Sequence, residues 1–268
     1  MAEAVPAGIH LRFVDDIAVM WLNNGENRLN INSLRAMNAV LDQVESNEST
    51  KALIITGVGK YFSCGLDLAW LSKQDDDTLT TFFSAFDQFL ARLLVYPMPT
   101  VAAINGHAYA AGGFMAVACD YRIMRTQRGW FCFPEINIKL PLQPPTVEMI
   151  RVQCSIVCAC RMKIRDNLVF RDLVMYGQRV TGEEAKEKGV VDKCVDMKDL
   201  MDTAIAFTRE RIGADGFDRT TVHLMKHNLY GIIVEKSKRD ISGAAAGKLD
   251  TQEQLKRAHD ARQGKARL

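Results

Sequence analysis

An excess of either charge is the first thing this chain lacks. Its 34 Lys and Arg stand against 32 Asp and Glu, for a formal net charge of +2. A balance that close gives no electrostatic case for a nucleic-acid partner, although a local basic patch for a phosphorylated small molecule stays open. Long hydrophobic runs are missing too. Charges and glycines break every apolar stretch before it reaches the roughly 18 residues of a membrane span, so none is expected. The opening MAEAVPAGIHLRFVDD is acidic, with neither the apolar heart of a secretory signal nor the Arg-rich character of a mitochondrial leader. The seven cysteines are odd in number and mostly lie in apolar runs, which reads as free buried thiols in a reducing compartment. Cys154, Cys158 and Cys160 crowd together without a second ligand cluster or a neighbouring His, so no metal site is expected. The chain has no P-loop, no dinucleotide-binding glycine fingerprint and no Gly-x-Ser-x-Gly nucleophile elbow. His223 and His227 stand four apart with no carboxylate between them, and read as core or interface histidines rather than zinc ligands.

What is present is ordinary globular material: 268 residues, 48% hydrophobic and 25% charged. Alternating residues Ile9 to Val14 and Ile17 to Leu22 flank Asp15-Asp16 and predict a hairpin. Ile31 to Val44 predicts a helix with Leu34, Met37, Val40, Leu41 and Val44 on one stripe. Ala52 to Thr56 and Val101 to Ile104 are short and wholly apolar, as in strands covered on both faces of a mixed or parallel sheet. Further helices are expected from Asp67, over Thr78 to Leu94 and over Ala110 to Cys119; further strands over Tyr121 to Met124 and Trp130 to Phe133. From Thr146 helices dominate, at roughly 146–157, 165–176, 182–188, 197–211, 217–231 and 250–262. The expected class is α/β, with a core over 1–196 and a C-terminal helical region over 197–268.

Three features carry candidate chemistry. The loop Tyr61-Phe62-Ser63-Cys64-Gly65-Leu66-Asp67-Leu68 follows a strand and opens a helix that Asp67 can cap. The loop Asn105-Gly106-His107-Ala108-Tyr109-Ala110-Ala111-Gly112-Gly113 does the same. Each aims spare backbone N–H groups at the crevice beyond the sheet, where two converging donors would hold an oxyanion; either alone reads as well as a tight turn. The third feature is Phe133-Pro134-Glu135. A carboxylate among aromatic and apolar residues should be harder to ionise, which suits a general base near neutral pH. A strand-end Glu facing water or Arg128 is the alternative.

These features, in this order, resemble the enoyl-CoA hydratase/isomerase, or crotonase, family. The matching pieces are Ala52 to Gly57, Phe62 to Leu68, Pro99 to Gly106, Ala110 to Tyr121, Phe133-Pro134-Glu135 and VTGEEAKEKGVV at Val180 to Val191. The resemblance covers roughly residues 8 to 210. It implies a crotonase-like spiral of repeated β-β-α units with a C-terminal helical region that packs on neighbouring subunits and completes the CoA site, in a homotrimer or a dimer of trimers. It implies an acyl-CoA thioester as substrate, no cofactor beyond the CoA carried by that substrate, and Leu66 and Ala111 as the oxyanion-hole N–H donors. Cys64, Gly65, Asp67, Gly112, Phe114 and Leu140 then line the substrate site. Arg28, Lys256 and Lys265 are candidates for the CoA phosphates, in a chain whose residues 235–268 carry nine Lys/Arg against five Asp/Glu.

Family hydratases use two glutamates to hold one water. Here the first position is Phe114 and only Glu135 remains, which favours a Δ3-Δ2-enoyl-CoA isomerase with one proton shuttle. The second acid of the dienoyl-CoA isomerases falls on Gln143, which cannot exchange protons. A hydratase, thioesterase or decarboxylase using Asp67 or Asp172 is the alternative, as is acyl-CoA binding without turnover, since Lys139 to Pro145 lacks the usual glycines. Asp172 reads as a helix-surface residue. The tail Ala266-Arg267-Leu268 resembles a peroxisomal address read by an import receptor.

Overall fold

The computed structural model describes residues 5–139, 142, 164, 166–238 and 255–260. Strands β1 (Gly8–Val14) and β2 (Ile17–Asn23) form the expected antiparallel hairpin, followed by helix α1 (Ile31–Ser46). The next units each run strand, strand, helix. First come β3 (Ala52–Gly57), β4 (Tyr61–Ser63), α2 (Leu68–Leu71) and α3 (Asp76–Leu94). Then come β5 (Thr100–Ile104), β6 (His107–Tyr109) and α4 (Ala111–Ala118), and then β7 (Tyr121–Arg125) and β8 (Phe131–Cys132). The last strand is β9 (Lys193–Val195). The first strand of each unit joins a six-stranded sheet in the order β1-β2-β3-β5-β7-β9, and the second strands form a small parallel sheet in the order β4-β6-β8. The chain is therefore the expected spiral of β-β-α units.

Asn105 fastens the corner between the sheets. Its side-chain oxygen accepts from Gly57 N–H at 3.0 Å, and its amide donates to Gly59 O at 3.1 Å. The large sheet explains its apolar strands by being covered on both faces. Leu53 and Ile55 face α1, α3 and α4, while Ile54, Val101 and Ala103 face the helix Leu200–Ile212 through Leu200, Ala204 and Phe207. The predicted stripe of α1 is buried in full, and Asn30 caps that helix by accepting from Asn32 N and Ser33 N.

Three strands were not expected: β4 and β6 lie inside the two glycine loops, and β9 lies in a segment without alternation. Each is three residues long, too short for a period to show. The segment Trp130 to Phe133 contracts to Phe131–Cys132. The stretch 165–176 is a short α-helix, Asn167–Phe170, that widens into a π-helical turn over Arg171–Met175. The helix expected at 146–157 lies outside the described residues, as do Cys154, Cys158 and Cys160. The helix Arg219–Ser237 packs on α3. Lys226 on it donates to Met98 O at 2.9 Å and pairs with Asp120 at 2.5 Å. Residues 255–260 are helical. No helix of the described residues is long and apolar enough to cross a membrane.

Candidate active site

The first N–H donor is set by a parallel bridge. Leu29 N–H donates to Gly65 O and Asp67 N–H to Leu29 O, each at 2.9 Å, so Leu66 between them turns its own N–H the other way. No described residue accepts from that N–H. Gly65 has φ +79°, a left-handed conformation that costs glycine little. Asp67 caps α2, accepting from Trp70 N–H at 3.1 Å, and accepts from Asn30 at 3.3 Å.

The second donor begins α4. Ala110 sits at φ 51° and ψ −125°, strained for a residue with a Cβ, and its N–H is tied to Cys132 O at 2.9 Å. Ala111 opens the helix, so its N–H has no partner within the helix, and no side chain caps this end. The two loops touch. A Cβ on Gly65 would sit 2.8 Å from Ala110 Cβ and 3.1 Å from Ala111 N, and one on Gly112 would sit 2.4 Å from Ser63 O. The structure therefore brings together Cys64, Gly65, Leu66, Ala111 and Gly112, as the sequence suggested. Cys64 is buried.

Glu135 arrives from β8. Phe131 and Phe133 meet edge to face at 5.3 Å between ring centroids, Pro134 turns the chain, and Glu135 opens a single 3-10 turn to Ile138. Phe133 stacks on Phe114 at 4.8 Å, with the rings 13° from parallel, which ties the Glu135 segment to the first turn of α4. Glu135 is only 6% exposed, and its Oε2 has no hydrogen-bond partner. Burial pushes its pKa up to about 8 from an ordinary 4.5, opposed by a smaller effect of its own backbone N–H. The Cys132 thiol is raised to about 12, by burial first and then by Glu135. Glu135 thus does not face water, and Arg128 forms no ion pair with it. Phe114 is 4% exposed, so this position of the site is apolar.

The remaining candidates are less gathered. Arg28 pairs with Glu26 on the wall of a cleft of about 510 Å³ that Asp67 and Asn30 also line. Lys256 is exposed on the 255–260 helix. Leu140, Gln143, Lys265 and Ala266-Arg267-Leu268 lie outside the described residues. Asp172 pairs with Arg171 at 2.8 Å on the surface. No group of three His, Cys, Asp or Glu among the described residues could hold a metal. Sequence reasoning missed two residues. Ala110 gives no sign of its strained backbone. Asp87 on α3 is 5% exposed with an unpartnered Oδ2, and burial raises its pKa to about 7. The only available signal was its place among Phe83, Phe86 and Leu90.

Comparison with known proteins shows the family and the fold. Enoyl-CoA delta isomerase 2, peroxisomal, of Arabidopsis thaliana is 30% identical over 214 residues, covering 77% of this chain and 85% of that protein. Enoyl-CoA delta isomerase 3 of the same plant is 36% identical over 172 residues, covering 62% and 68%. The crystal structure of human mitochondrial delta3-delta2-enoyl-CoA isomerase superposes with a TM-score of 0.80 over 96% of this chain and 98% of that one. At 20% identity this likeness speaks for the fold alone. Residues 12–228 match the enoyl-CoA hydratase/isomerase family, and that span holds both glycine loops and Glu135. This chain, an enzyme of crotonase fold, belongs to the enoyl-CoA hydratase/isomerase family.

Proposed function

We propose that this protein moves the double bond of a 3-enoyl-CoA into conjugation, giving the trans-2-enoyl-CoA. The observation that carries this reading is a buried carboxyl, Glu135, whose Oε2 has no hydrogen-bond partner, with Phe114 where a second carboxylate would stand. Glu135 takes a proton from C2 of the substrate. The negative charge that develops on the thioester oxygen is met by the N–H groups of Leu66 and Ala111, fixed donors that need not reorganise during the reaction. The protonated Glu135 then delivers the proton to C4. One carboxylate within about 3 Å of each carbon's proton in turn suffices. The stacked Phe114 and Phe133 rings exclude water, which keeps the enolate from side reactions and strengthens the electrostatics around it.

The chemistry needs no cofactor beyond the CoA of the substrate. Arg28, Lys256 and Lys265 are the residues proposed to meet CoA phosphates, and a trimer or paired trimers built through 197–268 is the proposed assembly. Peroxisomal placement is supported by relatives named as peroxisomal. The test is incubation with trans-3-hexenoyl-CoA, following conjugation by absorbance and product by mass. A 2-enoyl product of unchanged mass is expected. A product heavier by one water would make the protein a hydratase, and acyl-CoA binding without turnover would leave it a binding protein.

A further inference from the structure

The loop that carries Leu66 runs beside residues 26–29, and backbone bonds join the two stretches. Cys64 N–H donates to Glu26 O, and Leu29 N–H donates to Gly65 O, each at 2.9 Å. Between these bonds lie Asn27 O and Gly65 N–H, and among the described residues neither has a backbone partner. Buried backbone groups rarely go unpaired. Ser63 pairs both. Its hydroxyl donates to Asn27 O at 2.7 Å and accepts from Gly65 N–H at 3.2 Å. Ser63 is wholly buried at the end of β4, so this hydroxyl is closed off from solvent. Asn27 is itself anchored. It is buried at φ 50°, a conformation that asparagine adopts more readily than most residues. Its side-chain amide donates to Leu22 O at 3.1 Å, Tyr61 O at 3.0 Å and Phe62 O at 3.1 Å, and its Oδ1 accepts from Asn24 N–H at 2.7 Å.

The consequence falls on Gly65. Glycine has little backbone preference of its own, so its bonds must fix its direction. Ser63 holds the N–H of Gly65 and Leu29 holds its carbonyl. That carbonyl shares a planar peptide with the N–H of Leu66, so fixing the one fixes the other. Ser63 reaches the second loop as well. It pairs with Ala108 across β4 and β6, three residues before Ala111. A Cβ on Gly112 would sit 2.7 Å from Ser63 Cβ, so the first turn of α4 rests against this residue. One buried side chain therefore stands between the two N–H donors and is bonded toward the first of them.

We propose that Ser63 is a positioning residue for the oxyanion hole, aiming the Leu66 N–H through Gly65 while touching no substrate itself. The proposal rests on the reading of Leu66 and Ala111 as the donors. The test is vibrational difference spectroscopy of trans-2-hexenoyl-CoA, isotope-labelled at the thioester carbonyl and bound to the full-length protein, together with kcat and KM for trans-3-hexenoyl-CoA. In the parent, the carbonyl stretch should fall below its solution frequency, because two aimed donors polarise the bond. In Ser63→Ala it should move back toward the solution value. Its kcat should drop at least about tenfold with KM held within a few-fold, since misaimed donors cost most in the transition state. Ser63→Cys keeps a weaker donor and acceptor on a longer bond, and should lie between the two. A carbonyl as strongly polarised in Ser63→Ala as in the parent, with parent-like kcat, overturns the proposal. Where Ser63→Ala does not fold, Ser63→Cys decides, and full polarisation with parent-like kcat there overturns it equally. A parent that leaves the bound carbonyl at its solution frequency removes the oxyanion hole itself, and the role of Ser63 with it.

Discussion

Glu135 is the proposed base, and its burial has two consequences that pull in opposite directions. A base must be ionised to accept a proton, and desolvation raises this carboxyl to about 8. The value of kcat/KM should therefore climb as pH rises through about 8 and level off above it, which a pH–rate profile of the free enzyme reads directly. Stability runs the other way. The native state keeps a proton on Glu135 between about 4.5 and 8 that the unfolded chain has already released. A raised carboxyl of this kind lowers stability as pH climbs through that window, and the whole penalty is present above 8. Glu135→Gln removes the charge, so its melting temperature should exceed the parent's at pH 9 and converge with it near pH 5. A variant that melts below the parent at pH 9 would show that Glu135 has a stabilising partner. The burial of Glu135 and its raised pKa were legible in the sequence from Phe133, Pro134 and the apolar residues that follow. Asp87 was not, because one acid on an amphipathic helix looks the same whether its neighbours leave it to water or close over it.

At the scale of elements, the site depends on two loops in contact. Gly112 packs where a Cβ would stand 2.4 Å from Ser63 O, a backbone atom that cannot swing aside. Gly112→Ala should push the α4 N-terminus away from β4, lowering stability by about 1–3 kcal/mol and kcat by more than stability alone explains. Denaturant melts together with kcat on the folded fraction check both parts, and parent-like kcat would mean that the loops need not touch. Ala110→Gly is the complementary change. It relieves a positive φ of 51° on a residue with a Cβ and should raise the unfolding free energy by up to about 1 kcal/mol, read as a higher denaturation midpoint. The helices α1 and α3 were legible because the apolar stripe repeats within them, and β3 and β5 because each is a wholly apolar run. The three-residue strands β4 and β6 were not, since pairing across the spiral, rather than local pattern, makes them strands. Sequence reasoning therefore saw the loops as turns that present N–H groups, and missed the small sheet that holds them side by side.

Across the whole molecule, buried contacts tie the helix Arg219–Ser237 to the catalytic spiral. Lys226 is 9% exposed and reaches both Asp120, at the end of α4, and the Met98 carbonyl before β5. Lys226→Ala leaves Asp120 in a part-buried setting without its cation and should cost about 3 kcal/mol, whereas Lys226→Met, which keeps the apolar stem, should cost less. Equal and negligible losses in both would mean that the pair contributes nothing to docking this helix. The large sheet and its covering helices were foreshadowed by wholly apolar β3 and β5. The pairing of residues as distant as Lys226 and Asp120 had no local signal. On the proposed reading, Glu135 alone moves the proton. The most direct measurement is turnover of trans-3-hexenoyl-CoA by parent and Glu135→Gln under identical conditions, with CoA affinity measured on both. A fall in kcat of roughly 10³-fold or more, with CoA affinity held within a few-fold, is the predicted result. Equal turnover by the two proteins would contradict it and remove Glu135 from the reaction.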